Sequence, residues 1–378
     1  MNRVLILGAG FGGIATALGL RERLDTADEI VLVDRRQAFA MGLRKNWGIA
    51  GMEAHEQGER AIEGLRDRGI DVRRGEIDAV DPSARAATVD GKRLDADALV
   101  VALGAERNPD AIPGLREHAI DAYDREANAH NAELVDAFAG GSVVIGVFGA
   151  PYPCPPAPYE LALMLGERFD EKGLRFGLLV FTVLPKSLPI LGEAGCAAFD
   201  GQLKGAGISL RTNTRATEVR EGEVIIEDGR IPFDLLLAVP PHRAPAVVRD
   251  AGLPGPSGWI PVDARTLQTR FEGVYAIGDV TAIPLSNGGA LPKAGVFAQA
   301  EGEVVAARIA DALAGRESTA RFEGEGMCFL EAGRGKASAV QGRFLADPPQ
   351  VELTPATEEG FAAKRAFESD RLRAWFGS

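Results

Sequence analysis

The chain has 378 residues, of which 46% are hydrophobic and 25% are charged, and its formal net charge is −12. This length suggests two or three domains with ample core, and the negative charge argues against nucleic acid as a partner. No apolar run reaches the roughly 18 residues of a membrane-spanning helix, and three cysteines are too few for a disulfide framework.

The first segment, residues 4–34, has the order strand, glycine turn, helix, strand and acid. Its turn places Gly8, Gly10 and Gly13 in the spacing G-x-G-x-x-G, and its second strand ends on Asp34. This order is the dinucleotide-binding fingerprint. The glycines permit a tight turn, close approach of a pyrophosphate and packing of helix on strand, while the helix N-terminus favours phosphate. Asp34 can accept hydrogen bonds from ribose hydroxyls. The fingerprint does not distinguish NAD from FAD.

From residue 35 to residue 105 the pattern again alternates between helix and strand. The predicted elements are a helix at 55–68, a strand at 71–74, a hairpin-like element at 76–94 and an apolar strand at 98–103. The last strand ends at Gly104, where a small-residue turn would bring backbone close to a bound dinucleotide. Arg36 either reaches an adenosine or a phosphate, or it is a solvated surface arginine.

Residues 142–240 repeat this order of elements without repeating its residues. After a helix at 121–138, the predicted elements are a strand at 142–148, a helix at 159–169, a strand at 174–183, a helix at 194–205, a strand at 208–211, a hairpin at 218–229 and a strand at 233–239. We interpret the chain as an α/β protein with two tandem Rossmann-like domains.

The remaining chain adds a strand that runs into an acid, one long helix and a C-terminal segment. The predicted elements are a strand at 274–277, a helix at 297–313, paired strands at 322–345 and a short amphipathic helix at 362–376. The tail interleaves aromatic residues with lysine and arginine. It could lie on a membrane surface, pack on a partner subunit or close the domain.

Three segments together resemble the FAD-containing disulfide-reductase-like superfamily. They are GAGFGG at 8–13 with Asp34, LVVALGA at 99–105 and FEGVYAIGDVT at 271–281. In that superfamily the aspartate of the last run holds the ribityl chain of FAD, and Asp279 matches it; the alternative is an aspartate that caps the following turn. The resemblance implies an FAD domain at 1–115 and 259–320, an inserted NAD-like domain at 116–258 and a C-terminal segment at 321–378.

The same resemblance implies a set of FAD-binding residues. They are Gly8, Gly10, Phe11, Gly12, Gly13, Asp34, Arg35, Ile77, Ala102, Gly104, Gly278, Asp279, Lys293 and Gly295. Lys293 would place positive charge near the pyrimidine end of the flavin, or it is a surface lysine. Some members attach FAD to a cysteine within residues 35–60, and this chain has none there, so we expect non-covalent FAD.

The second Rossmann-like unit departs from a nucleotide-binding pattern. Its first strand should lead into G-x-G-x-x-G, but residues 149–156 read GAPYPCPP. Proline has no N–H to donate to a pyrophosphate, and bulky rings block close approach. A nicotinamide substrate is therefore disfavoured.

The run CPPAPYE at 154–160 resembles sulfide:quinone oxidoreductases and the flavoprotein subunit of flavocytochrome c sulfide dehydrogenase. In that family a cysteine at this place pairs with a second one near the C-terminus at the flavin, which implies the pair Cys154 and Cys328. A helix N-terminus just after Cys154 would favour its thiolate; otherwise it is a buried thiol. Glu160 matches a family glutamate and either relays a proton or merely favours the helix dipole. Cys196 is expected to be a small core residue.

These features predict an FAD-dependent sulfide or persulfide oxidoreductase that passes two electrons through a redox-active Cys154/Cys328 disulfide to FAD and on to a quinone or another acceptor. The first alternative is a type-II NADH:quinone or ferredoxin-reductase-like flavoprotein with structural cysteines. The second is a flavin-binding electron-transfer protein without turnover. The sequence predicts no metal site and no signal peptide. We expect a cytoplasmic protein, and leave open both a homodimer and peripheral contact with the inner face of the membrane.

Overall fold

Strands and helices alternate from the first residues of the chain. The structure is a computed structural model and describes residues 1–377. The strands up to residue 110 are β1 (Arg3–Leu7), β2 (Glu29–Asp34), β3 (Ala38–Phe39), β4 (Arg60–Ala61), β5 (Asp71–Arg74), β6 (Ile77–Asp81), β7 (Ala86–Val89), β8 (Lys92–Asp95), β9 (Ala98–Val101) and β10 (Glu106–Arg107). The helices up to residue 118 are α1 (Phe11–Arg21), α2 (Arg44–Ile49) and α3 (Leu115–His118).

The rest of the chain continues this alternation before it ends on three strands and a helix. Its strands are β11 (Ile120–Asp121), β12 (Gly141–Val147), β13 (Phe176–Thr182), β14 (Ile208–Arg211), β15 (Ala216–Arg220), β16 (Glu223–Ile226), β17 (Gly229–Pro232), β18 (Leu235–Val239), β19 (His242–Arg243), β20 (Ile260–Pro261), β21 (Val274–Ala276), β22 (Thr281–Ala282), β23 (Glu325–Gly333), β24 (Lys336–Arg343) and β25 (Gln350–Leu353). Its helices are α4 (Asn128–Asp136), α5 (Ala157–Glu171), α6 (Gly192–Gly205), α7 (Ala246–Asp250), α8 (Gly295–Leu313) and α9 (Glu358–Phe376).

The first sheet is parallel and has the strand order β21-β9-β1-β2-β5. Strand β1 is buried on both faces: Val4 and Ile6 belong to one core cluster, and Leu5 and Leu7 belong to another. This explains its continuous apolar run, because a parallel sheet is covered by helices on both sides. Strand β21 joins this sheet although it follows the second unit in sequence.

The second sheet is also parallel, with the order β11-β18-β12-β13-β14. Strand β12 is central in this sheet, as β1 is in the first sheet. The prediction of two Rossmann-like units is therefore confirmed. The short antiparallel pair β10–β19 links the two units. The residue limits of the domains stay a prediction.

The C-terminal segment is an antiparallel sheet, β23-β24-β25, with α9 packed on β24. The predicted paired strands are confirmed. Helix α9 begins at a capped turn, in which the Thr357 hydroxyl accepts the Gly360 N–H. It buries a stripe at helical spacing that runs from Lys364 to Trp375. Within residues 1–377, no helix is both long and apolar enough to cross a membrane.

Two predicted helices are wrong in part. Residues 55–68 form two 3₁₀ helices, His55–Gly58 and Ile62–Arg68, because the residues between them pair as β4 with β3. Residues 121–138 start at the end of strand β11, and helix α4 begins only after a turn in which the Asp124 carboxylate accepts the N–H groups of Glu126 and Ala127.

The predicted hairpin-like element at 76–94 is the three-stranded antiparallel sheet β6-β7-β8. The predicted hairpin at 218–229 gains a third strand, because β17 pairs with β16 and completes the antiparallel sheet β15-β16-β17.

Candidate active site

A cavity of about 940 Å³ opens at the carboxyl edge of the first sheet. It lies where β1 and β9 are neighbours, which is the topological switch point of such a sheet and the usual ligand crevice. Its lining includes all but one of the predicted FAD-binding residues, the exception being Gly13. It also includes Cys154, Glu160 and Cys328.

The three fingerprint glycines meet different surroundings. Gly8 has φ +103°, and a Cβ there would collide with the Ala102 carbonyl. A Cβ on Gly13 would collide with the Gly8 carbonyl. A Cβ on Gly10 would meet no protein atom within 4 Å, because that residue faces the cavity. The turn is therefore closed on the protein side and open where a ligand would lie.

Asp34 ends β2 and is only 6% exposed. Its carboxylate accepts the Ala9 N–H at 2.7 Å and pairs with the Arg36 guanidinium at 2.9 Å. Burial acts to raise the pKa of Asp34, but the hydrogen bond and charge of Arg36 outweigh it and the pKa is lowered. Arg36 is thus bound to the acid at the rim of the cavity.

Lys293 is 7% exposed, so the surface-lysine alternative is wrong. Its Nζ donates to the Thr281 carbonyl at 2.8 Å and to the Asp279 carbonyl, and lies 3.6 Å from the centre of the Trp259 ring. Burial lowers the pKa of Lys293 to about 8 against the attraction of nearby carboxylates. Burial also raises the pKa of Asp279.

Glu301 is a buried acid that sequence reasoning missed. It lies on α8, and its Oε2 accepts the Gly278 N–H at 2.6 Å, one residue before Asp279. Burial raises the pKa of Glu301 to about 7. Its sequence signal was an acid on the apolar stripe of a helix.

Cys154 and Cys328 are half-buried free thiols that line the same cavity. Cys154 has φ +54°, an uncommon conformation outside glycine that concentrates at functional sites. Its N–H donates to the Lys293 carbonyl at 2.6 Å. Its carbonyl accepts from the Tyr123 hydroxyl at 3.2 Å and from the Ala157 N–H at 3.0 Å. Tertiary contacts thus hold the backbone of Cys154.

Burial is the largest influence on the pKa of Cys154, and the N-terminus of α5 acts against it, because a hydrogen bond from the Ala157 N–H lowers that pKa and so favours the thiolate. Burial raises the pKa of Cys154, and the charges of Lys45 and Lys364 oppose that rise without reversing it. Burial also raises the pKa of Cys328, and the neighbouring Cys154 adds to that effect. Both groups are therefore held as neutral thiols. The third thiol, Cys196, is buried on α6 with its Sγ 3.1 Å from the Leu188 carbonyl, as a core residue should be.

Glu160 belongs to a buried charge network beside the thiols. Its Oε1 accepts the Glu331 N–H and the Lys364 Nζ, both at 2.6 Å. Lys364 also donates to the Glu331 carboxylate, which accepts the Trp47 Nε1–H. Burial acts to lower the pKa of Lys364, but the two carboxylates outweigh it and raise the pKa. Sequence reasoning missed Glu331, and placed Lys364 only among the charges of the tail.

The carboxyl edge of the second sheet is closed by a side chain. Tyr152 is 2% exposed and packs against Val147 and Val239, the last residues of neighbouring strands β12 and β18. Its hydroxyl donates to the Pro155 carbonyl at 3.0 Å. The crevice that would hold a second dinucleotide is therefore filled by a ring.

Comparisons with known proteins agree with this architecture. The family model described as pyridine nucleotide-disulphide oxidoreductase matches residues 2–302. A demethylphylloquinone reductase of Synechocystis sp. is 27% identical over 300 residues, which cover 73% of this chain and 71% of that protein. A sulfide-quinone reductase of Aquifex aeolicus is 27% identical over 318 residues, 75% of this chain and 69% of that one.

Two further comparisons bear on the alternatives. A type II NADH:quinone oxidoreductase of Staphylococcus aureus is 24% identical over 344 residues, 85% of each chain. The crystal structure of the sulfide:quinone oxidoreductase from Aquifex aeolicus superposes with a TM-score of 0.90 at 23% identity, covering 100% of this chain and 92% of that chain. This structural likeness shows the shared fold.

Proposed function

The chain belongs to the pyridine nucleotide-disulphide oxidoreductase family, and from that premise we propose that it oxidises sulfide or a persulfide and passes the electrons to a quinone or a similar acceptor. As a member it is an FAD-binding oxidoreductase. The observation that carries the proposal is the meeting of Cys154 and Cys328, distant in sequence, in the cavity that begins at the glycine turn.

The cavity fits FAD. Gly10 leaves room for a pyrophosphate at the N-terminus of α1. Asp34 at the end of β2 would bind the adenosine ribose, and Asp279, which lines the same cavity, would bind the ribityl chain. Bound FAD supplies a two-electron acceptor and donor, which no side chain provides. With no cysteine in residues 35–60, we propose that FAD is held non-covalently.

The cysteine chemistry starts from a Cys154–Cys328 disulfide. Hydrosulfide attacks one sulfur, the S–S bond breaks, and a persulfide forms on one cysteine while the other leaves as a thiolate. A second hydrosulfide takes the outer sulfur as disulfanide and leaves a thiol. The thiol and the thiolate then re-form their disulfide and release two electrons and one proton. Bound FAD would supply the two-electron carrier between this pair and the final acceptor.

Glu160 is proposed to carry the proton in this cycle. It lines the cavity beside both thiols, and Lys364 holds it in place. Because burial raises the pKa of both thiols, each thiol–thiolate exchange needs a group nearby that takes up and returns a proton.

The C-terminal segment offers a place for the acceptor. Phe329 on β23 and Phe367 on α9 line the cavity with their ring centres 6.0 Å apart, and Met327 beside them is 37% exposed. Flat apolar walls suit the ring of a quinone.

A type-II NADH:quinone oxidoreductase is the second candidate because one such relative matches most of the chain. The ring of Tyr152 argues against this second candidate, because it fills the crevice in which NADH would bind.

Anaerobic stopped-flow absorbance of the FAD-loaded protein tests the proposal. Sulfide should bleach the flavin and NADH should not. Cys154→Ser and Cys328→Ser should each keep the flavin spectrum and lose bleaching by sulfide by about a hundredfold or more. Cys196→Ser is the matched control and should behave as the wild type, because this thiol lies outside the cavity. Bleaching by NADH that survives Cys154→Ser would overturn the proposal in favour of the second candidate.

A further inference from the structure

Two cations at the cavity, Lys293 and Lys45, make no ion pair within residues 1–377. The other arginines and lysines of the lining that form ion pairs are Arg35, Arg36, Arg107, Arg116 and Lys364. Lys293 uses its ammonium on two backbone carbonyls and the Trp259 ring. The Lys45 Nζ, in contrast, donates within residues 1–377 only to the Gly42 carbonyl at 3.1 Å. Its charge is available to a ligand.

The fold holds Lys45 close to the Cys154 turn. The backbone carbonyl of Lys45 accepts from the Asn128 side chain, and the Asn46 side chain donates to the Ala157 carbonyl at the start of α5, each at 2.9 Å. These bonds tie α2 to α4 and α5. The Lys45 ammonium lies 4.6 Å from the centre of the Tyr123 ring, whose hydroxyl donates to the Cys154 carbonyl.

Without Lys45 the surroundings of the thiols would repel an anion. The buried network contains two carboxylates, Glu160 and Glu331, against the single ammonium of Lys364, which leaves one negative charge in excess. Burial raises the pKa of Cys154, and Lys45 is the largest influence that opposes it. Lys45 is thus the charge that offsets the network at the reacting sulfur.

We propose that Lys45 is the anion-binding residue of the sulfur site, and that it selects small sulfur anions, hydrosulfide and polysulfide, over neutral thiols of similar size. The identity of the substrate rests on the function proposed above. The effect of the Lys45 charge on an anion that approaches the thiols does not, and it can be measured without any turnover.

The direct measurement compares two alkylating reagents on the FAD-loaded, reduced protein. In both reactions the cysteine thiolate displaces iodide, but iodoacetate is an anion and iodoacetamide is neutral. The ratio of their rate constants at Cys154 and Cys328, followed by peptide mass spectrometry, cancels differences in thiol ionisation. Lys45→Met should lower this ratio roughly tenfold, the scale of one unit charge several ångströms away. High salt should lower the wild-type ratio in the same direction.

Two matched variants define the outcome. Lys45→Arg keeps the charge and should keep the ratio within about twofold of wild type. Lys186→Met removes an exposed lysine outside the cavity and should leave the ratio unchanged. A Lys45→Met protein with the wild-type ratio overturns the proposal, whatever its kinetics with sulfide.

Stopped-flow reduction by sulfide supplies the second readout. Lys45→Met should raise the sulfide concentration for half-maximal bleaching about tenfold, with a smaller change in the rate at saturation, because a binding interaction is lost. An unchanged half-maximal concentration would overturn the assignment of Lys45 to sulfide. If sulfide does not bleach even the wild type, the proposed function fails, while the alkylation ratio still decides whether Lys45 creates an anion site.

Discussion

Gly10 and Gly13 stand three residues apart in one turn, yet they should respond to the same substitution in opposite ways. Gly10→Ala places a methyl group in the cavity, so we expect an unfolding free energy within about 0.5 kcal/mol of wild type and FAD binding weakened about tenfold or more. Gly13→Ala pushes the Gly8 carbonyl and should cost roughly 1–3 kcal/mol of stability. Urea unfolding and flavin-fluorescence titration measure the two effects. Equal losses of stability in both variants would contradict the assigned geometry.

Glu301 makes the stability depend on pH with a defined sign. Its pKa is raised by burial to about 7 from the ordinary value of 4.5, so the folded chain binds this proton more tightly than the unfolded chain. Its contribution is complete below pH 4.5 and is lost as the pH rises through 7, a fall of about 3 kcal/mol. Denaturant unfolding across this window should show that fall in the wild type relative to Glu301→Gln, which cannot titrate. If the unfolding free energies of the two proteins ran parallel across this pH range, the titration of Glu301 near pH 7 would be contradicted.

At the scale of single elements, the tail helix α9 closes the first domain. Trp375 is 6% exposed and lies 5.6 Å from the ring centre of Phe11 and 5.4 Å from that of Phe39. Of the three alternatives that the sequence left open for the tail, this packing supports closure. Membrane contact and a homodimer stay predictions.

Truncation of the tail tryptophan tests this role. Trp375→Ala should lower the unfolding free energy by about 3–5 kcal/mol, because it removes a large buried ring. Arg373→Ala, two residues earlier on the same helix and exposed, should change it by less than about 0.5 kcal/mol. Chemical denaturation compares the two. If Trp375→Ala kept its stability and instead lost binding to anionic lipid vesicles, the tail would be a membrane element.

Local sequence patterns predicted those elements whose causes are local. The glycine turn, strand β1 and helix α5 follow from spacing and apolar runs within a few residues. The helix at 55–68 failed because its middle residues pair with β3. The buried ion pair of Lys364 with Glu160 joins positions 204 residues apart, and no periodicity predicts such a partner.

At the scale of the whole molecule, the two similar sheets differ at their switch points, the places where a ligand crevice is expected. The first leaves an open cavity at Gly10, while the second is filled by Tyr152. The sequence indicated this difference through the prolines of residues 149–156, since they remove N–H donors. It could not indicate that the ring of Tyr152 would turn into the crevice, because that depends on the neighbouring strand β18.

This asymmetry predicts one dinucleotide per chain. The purified protein should contain one FAD, and NADH should neither raise its melting temperature nor quench its tryptophan fluorescence in a saturable way, since ligands that bind only the folded state stabilise it. Tyr152→Ala should lower stability by roughly 3 kcal/mol through the cavity it leaves. It should still not bind NADH, because Pro151, Pro153, Pro155 and Pro156 offer no N–H groups to a pyrophosphate. Saturable binding of NADH to the wild type would show that the second sheet keeps a working site. Binding only to Tyr152→Ala would show that the Tyr152 ring, and not the prolines, prevents NADH binding.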